Sequence, residues 1–203
     1  GHDDKVCAYP SLIAQLESVK PEKTSVCILV DKEEIGSSGS TGLESNYLEY
    51  FMADIINKVN GEYNEINLKK TLWNSKALSA DVNDAINPMF KEVHDSLNAA
   101  KLGYGIVVTK YTGSGGKYSS NDADAEFVHE IRTLLNKNNI TWQIGMLGKV
   151  DEGGGGTVAK YLANFGIRTI DVGPALLAMH SPFELASKFD IYETYISYKV
   201  FYK

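Results

Sequence analysis

Ser25-Val26-Cys27-Ile28-Leu29-Val30, followed at once by Asp31-Lys32-Glu33-Glu34-Ile35-Gly36-Ser37, decides how the rest of this chain is read. A serine and five apolar, partly β-branched residues predict a buried strand, and the glycine- and serine-rich stretch behind them predicts a tight turn. Glu33 and Glu34 then stand at the carboxyl end of that strand, where ligands bind in open α/β sheets. Neighbouring carboxylates raise each other's pKa unless a cation or a set of donors sits close by. A metal ion resolves the conflict: one carboxylate ligates it, and the other stays free to accept a proton. The plain alternative is an acidic turn turned out to water.

Upstream, Asp3 or Asp4 can cap a helix that carries Val6, Cys7, Tyr9, Leu12, Ile13 and Leu16 at helical spacing. Pro10 fits such a helix only near its first turn, and Pro21 ends it. The opening Gly1-His2-Asp3-Asp4 runs into this helix almost at once, which reads as the middle of a domain.

Downstream, a loop over Ser37 to Gly42 leads to an amphipathic helix from Leu43 to Val59, stopped by Asn60-Gly61, and a short helix follows over Glu65 to Trp73. A strand over Lys76 to Ala80 runs into Asp81. Gly105 to Thr109 is a clear strand, and a glycine-serine loop from Gly113 to Ser120 opens a helix from about Asp122 to Asn136. Then come a strand (Thr141 to Met146), the run Gly153 to Gly156, a helix (Val158 to Phe165), a strand (Arg168 to Val172), a loop to Glu184 and a terminal helix. Strands alternate with helices, so the expected class is α/β: a three-layer, doubly wound, mostly parallel sheet forming one domain over 1–203.

The 203 residues suffice for one real core, and 43% hydrophobic with 23% charged residues is an ordinary globular balance. A net charge of −6 argues against nucleic acid, whose phosphates need clustered Lys and Arg. No apolar run approaches the roughly 20 residues that span a bilayer, so no membrane partner is expected. Cys7 and Cys27 form no CxxC pattern; free thiols, and hence a reducing, cytoplasmic setting, are the expectation.

Four places could carry chemistry: Asp3-Asp4, Glu33-Glu34, Asp81 after a strand, and His180 in Met179-His180-Ser181-Pro182. Asp, Glu and His suit zinc, manganese or cobalt. Taken singly, each is better read as a cap or a structural side chain, but a doubly wound sheet would bring all four together. The Gly153 to Gly156 run lacks the spacing of a nucleotide loop, yet it lets main chain approach a ligand closely. His94 and His129 read as solvated, and His2 as exposed.

These residues carry a resemblance. Asp3-Asp4-Lys5-Val6-Cys7-Ala8-Tyr9, Asp31 to Ser37, Ser79-Ala80-Asp81-Val82 and Met179-His180-Ser181-Pro182-Phe183-Glu184 resemble, in order, the signatures of the aspartyl aminopeptidase family of dinuclear zinc aminopeptidases. Lys110-Tyr111-Thr112-Gly113-Ser114 and Gly153 to Thr157 support it. The resemblance implies two divalent ions, zinc, with Asp3 bridging them, Glu34 and His180 completing one site and Asp81 serving the other. It implies that Glu33 is the general base, that Lys110, Tyr118, Gly154 and Gly155 lie near the substrate, and that the substrate is a peptide whose free amino-terminal residue, acidic ones included, is released. It further implies a homo-oligomeric parent, a dodecamer among the options.

Two departures stand out. Members of that family place a histidine ligand and an inserted domain upstream of the bridging aspartate. The chain therefore resembles the carboxyl-terminal part of a metalloaminopeptidase catalytic domain, incomplete at its amino-terminal end and expected to be inactive alone. Asn83-Asp84-Ala85-Ile86-Asn87-Pro88 also lacks the histidines that some members carry there. A non-catalytic relative acting as an interaction subunit, and a dinuclear deacylase or carboxypeptidase, are the alternative readings.

Overall fold

The computed structural model describes residues 1–203. In chain order its elements are α1 (Lys5–Leu16), α2 (Tyr47–Asn60), α3 (Glu65–Trp73), β1 (Lys76–Ser79), β2 (Asn83–Asp84), β3 (Ile106–Thr109), β4 (Tyr111–Ser114), β5 (Tyr118–Asp122), α4 (Ala125–Lys137), β6 (Trp142–Ile144), α5 (Ala159–Asn164), β7 (Arg168–Gly173), β8 (Ala175–Leu177), β9 (Leu185–Ala186) and α6 (Lys188–Phe201). Single 3-10 turns cover Glu33–Ile35 and Lys91–Val93. The main sheet has the order β1-β7-β3-β6. β1 pairs β7 in parallel and β3 pairs β6 in parallel, while β3 and β7 meet antiparallel with Val108 opposite Val172. A mostly parallel α/β sheet with helices on both faces is thus what forms.

Strand periodicity divides the core. Ile106 and Val108 of β3 face one layer, with Phe127, Ile131 and Leu135 of α4, Cys7 and Ala14 of α1, and Tyr198 of α6. Val107 faces the other way, onto Ala85, Ala100 and Ala175. On that second face, near β1, a further cluster joins Leu48, Met52 and Ile56 of α2 to Leu68 and Leu72 of α3 and to Ile167. Phe127 is fully buried, and truncating such a side chain to alanine costs about 3–5 kcal/mol. Helix α4 starts where it does because Asp124 accepts the N–H of Phe127 at 2.9 Å. Arg168, paired with the same carboxylate, holds the Asp124 pKa well below the usual range.

Several local expectations are corrected. Ser25 to Val30 does not form a strand: none of its N–H or carbonyl groups joins a backbone ladder, and Ile28 and Leu29 are exposed. Val26 and Val30 pack against the α2–α3 cluster, and Cys27 is half-buried beside Tyr202. Residue type favours a strand here, but a strand exists only where a neighbour completes its hydrogen bonds. The Gly113 to Ser120 loop is a hairpin, β4 and β5, with Tyr111 opposite Asp122. Pro10 sits beyond the first turn of α1, inside the helix. Asp4 takes the N-cap position of α1 but makes no capping bond with its side chain.

Candidate metal centre

The acidic turn is shaped by its own main chain. Lys32 and Gly36 are left-handed (φ 67° and 80°), and the N–H groups of Gly36 and Ser37 bond back to the carbonyls of Glu33 and Lys32. Tyr161 of α5 clamps the turn by donating its hydroxyl to the Gly36 carbonyl at 2.6 Å. Glu33 and Glu34 are thereby held facing Asp3, which lies just before α1, and His180, which lies in the loop after β8. His180 Nε2 is 2.9 Å from Asp3 Oδ2 and 3.4 Å from Glu34 Oε1.

Two triads result. Ligand atoms of Asp3, Glu34 and His180 lie within 4.8 Å of one another, and so do those of Asp3, Asp4 and Asp81. Asp3 belongs to both. The structure therefore brings together Asp3, Glu34, Asp81 and His180, and Glu33 stands beside them in the same cleft without joining either triad. Asp4, named with Asp3 as a place that could carry chemistry but given no metal role by the resemblance, enters the second triad. His2 joins neither.

The electrostatics are those of a site built for a cation. Burial first, then the charges of Glu34 and Glu184, raise the Asp3 pKa despite His180. Burial, Glu34 and Asp3 raise that of Glu33. Asp4 is pushed up to about 8, chiefly by burial and further by Asp3 and Glu33, and its Oδ1 is buried without a partner. Burial, with Asp4 and Asp171 adding, drives Asp81 well above the ordinary value. Beneath them Asp171 of β7, fully buried, rises to about 6. Its oxygens meet no donor in hydrogen-bonding geometry, and the nearby Ser79 and Thr157 hydroxyls only moderate the rise. No Lys or Arg lines the cleft. Oxygen and imidazole donors, an orphaned carboxylate oxygen and the lack of any fixed cation fit zinc. The second triad, all carboxylate, is the harder donor set of the two.

The cleft encloses about 710 Å³. Gly148, the Gly153 to Gly156 run and Ser119 form one wall, with Phe90, Val93 and Met179 among its apolar residues. The glycine run is tied to the hairpin through main chain: Gly113 N–H donates to the Gly155 carbonyl and Gly115 N–H to the Gly153 carbonyl, each at 2.8 Å. A Cβ on Gly154 would lie 2.3 Å from the Gly113 carbonyl oxygen, which explains the glycine. Gly154 and Gly155 thus line the cleft. Lys110 and Tyr118 do not: Lys110 pairs outside it with Asp122, and Tyr118 is 73% exposed.

His94, expected in solvent, is 5% exposed and lines the cleft. The 3-10 turn at Lys91–Val93 precedes it, its Nε2 accepts the N–H of Asn87 at 3.2 Å, and its Nδ1 lies 3.5 Å from Asp84 Oδ2. His129 is exposed as expected. Polar neighbours in sequence said nothing of this inward turn.

Comparison with known proteins agrees. A family model described as aminopeptidase I zinc metalloprotease (M18) matches residues 1–202. The probable M18 family aminopeptidase 1 of Borrelia garinii subsp. bavariensis is 64% identical over 206 residues, covering 100% of this chain and 45% of that protein. Its counterpart in Thermotoga maritima is 50% identical over 199 residues, covering 98% and 44%. The crystal structure of the Thermotoga maritima M18 aminopeptidase superimposes with a TM-score of 0.95 at 48% identity, over 100% of this chain and 45% of the other. The S. cerevisiae mApe1 dodecamer shares the fold with a TM-score of 0.74 at 24% identity, over 98% and 44%. The chain spans less than half the length of the curated relatives it matches. With that match over 1–202 and that identity, the chain belongs to the aminopeptidase I zinc metalloprotease (M18) family.

Proposed function

We propose that the full-length protein is a two-zinc aminopeptidase that releases amino-terminal residues from peptides. The observation that carries this reading is the pair of triads sharing Asp3, with Glu33 free beside them. Glu34, His180 and Asp3 would hold one ion; Asp81, Asp3 and a further ligand from the rest of the protein, or Asp4, would hold the other. When bound, zinc supplies a Lewis acid for the scissile carbonyl and for the attacking water. Glu33, its proton affinity raised by burial and by Glu34 and Asp3, takes a proton from that water and passes it to the leaving amine nitrogen. The glycine wall admits the peptide main chain close to these groups.

A homo-oligomer, with the dodecamer as its proposed form, and a cytoplasmic location extend the reading. Phe183, Leu97 and Met89 are large exposed apolar side chains that an assembly would cover, and both cysteines are free. No helix is long and apolar enough to cross a membrane.

The test uses the full-length protein. Zinc content by plasma emission and hydrolysis of leucyl and aspartyl peptides, with the amino end free or acetylated, are measured together. Two zinc ions per chain with turnover of free-amino substrates only is the expected result. Preference for the acetylated substrates makes the protein a deacylase or carboxypeptidase instead, and absence of turnover with zinc bound makes it a non-catalytic relative.

A further inference from the structure

Glu184 is four residues beyond His180, and neither of its oxygens belongs to a triad. Its side chain is only 3% exposed. Oε2 accepts the N–H of Asp3 at 3.1 Å and also that of His2, while Oε1 accepts the N–H of His180 at 2.8 Å. One carboxylate therefore spans two segments from opposite ends of the chain, and each segment carries a residue of the first triad.

Both segments need an outside tie. Asp3 precedes α1, so its N–H has no carbonyl one helical turn back to bond. His180 is left-handed (φ 65°), as is Ala178 (φ 57°), a conformation non-glycine residues adopt only when surroundings hold them there. The His180 side chain is 62% exposed, so packing does not fix it. Main-chain anchoring from Glu184 fixes the backbone that carries it, while Asp3 and Glu34 face its imidazole.

We propose that Glu184 is a positioning residue of the metal centre: by accepting the N–H groups of His2, Asp3 and His180 on one carboxylate, it sets the spacing of the Asp3 carboxylate and the His180 imidazole before an ion arrives. It rests on the metal-centre reading given above. Groups that orient ligands without touching the ion typically change metal affinity by about 10–100-fold when removed. A glutamine here must turn an NH2 group toward a main-chain N–H, and an aspartate keeps the charge but is too short to reach both segments.

The experiment compares wild type, Glu184→Gln and Glu184→Asp in the full-length protein. Zinc affinity is measured by competition with a chelating indicator, the cobalt(II)-substituted site by its visible d–d absorption, and folding of the zinc-free proteins by circular dichroism. Both variants are expected to bind zinc about 10–100-fold more weakly and to show a shifted cobalt spectrum while remaining folded; if Glu184→Gln does not fold, Glu184→Asp carries the measurement. Wild-type zinc affinity and an unchanged cobalt spectrum in a folded variant overturn the inference. So does weakening that appears only in step with loss of the folded signal. If the wild type itself binds no zinc, the metal centre fails first and the inference falls with it.

Discussion

Nε2 of His180 lies 2.9 Å from Oδ2 of Asp3, a contact between the loop after β8 and the residue two places before α1. Glu34 closes the same group at 3.4 Å from the imidazole. Glu33, its neighbour in sequence, stays outside it, and that division makes the two glutamates separable by mutation.

Glu33→Gln in the full-length protein should lower kcat by a factor of about 10²–10⁴ and leave zinc content near normal. Glu34→Gln should lose zinc. The opposite pattern in plasma emission and kinetics would exchange their roles.

The buried carboxylates set a pH dependence for the zinc-free protein. Asp4 (about 8) and Asp171 (about 6) have raised pKa values in the folded state, so the folded chain binds more protons than the unfolded one between pH 4 and those values. Stability from this cluster is full below about pH 4 and is lost as pH rises through 6 and then 8. Asp171→Asn removes one such penalty and should stabilise the zinc-free protein at pH 8 by up to about 3 kcal/mol, with little change at pH 4. Denaturant titrations at the two pH values decide it. Added zinc should raise the melting temperature more at pH 8 than at pH 5, because its ligands must be deprotonated.

Asp190, 0% exposed, accepts the N–H of Gly103 at 2.7 Å and of Gly105 at 2.8 Å, fixing the entry to β3. Asp190→Ala leaves the buried Gly105 N–H unpaired and releases the exposed Gly103 N–H to water, and should cost about 1–3 kcal/mol. Asp190→Asn, which keeps one acceptor oxygen, should cost less in the same urea unfolding experiment.

Gly154 has φ +87° and no room for a Cβ against the Gly113 carbonyl. Gly154→Ala should part the glycine run from the hairpin and lower kcat/KM by about 10–100-fold with zinc affinity unchanged. Retained kcat/KM would show that this wall does not position substrate.

Lys110 pairs with Asp122 on the surface, both side chains about half exposed or more. Lys110→Ala should alter stability by less than about 1 kcal/mol and leave KM for a leucyl anilide within about threefold. A larger rise in KM would return Lys110 to the substrate site.

What the sequence made legible was local pattern plus a repeated motif order. β3 and β7 are short, apolar and bounded by turn residues, and they form close to where periodicity puts them. Asp3, Asp81 and His180 converge because each follows or precedes an element of one sheet domain, and Glu34 because its 3-10 turn is clamped to α5 by Tyr161. Ser25 to Val30 was illegible because apolar residues declare a strand, whereas only a partner makes one. The hairpin was hidden by its glycines and serines, which look like a loop until Gly113 and Gly115 are seen bonding across to Gly155 and Gly153. Asp171 escaped notice, and Asp4 and Glu184 received no role, because what marks them is burial and, for Glu184, main-chain partners far along the chain.

The wall between hairpin and glycine run tolerates change in its outward side chains. Its contacts run from Gly113 and Gly115 N–H to the carbonyls of Gly155 and Gly153, so no side chain is needed to keep it standing. Residues on the outer rim, Tyr118 among them, are free to drift without disturbing that frame. Point substitutions at the mouth of the cleft thus leave the frame beneath in place, whereas any side chain at Gly154 breaks it.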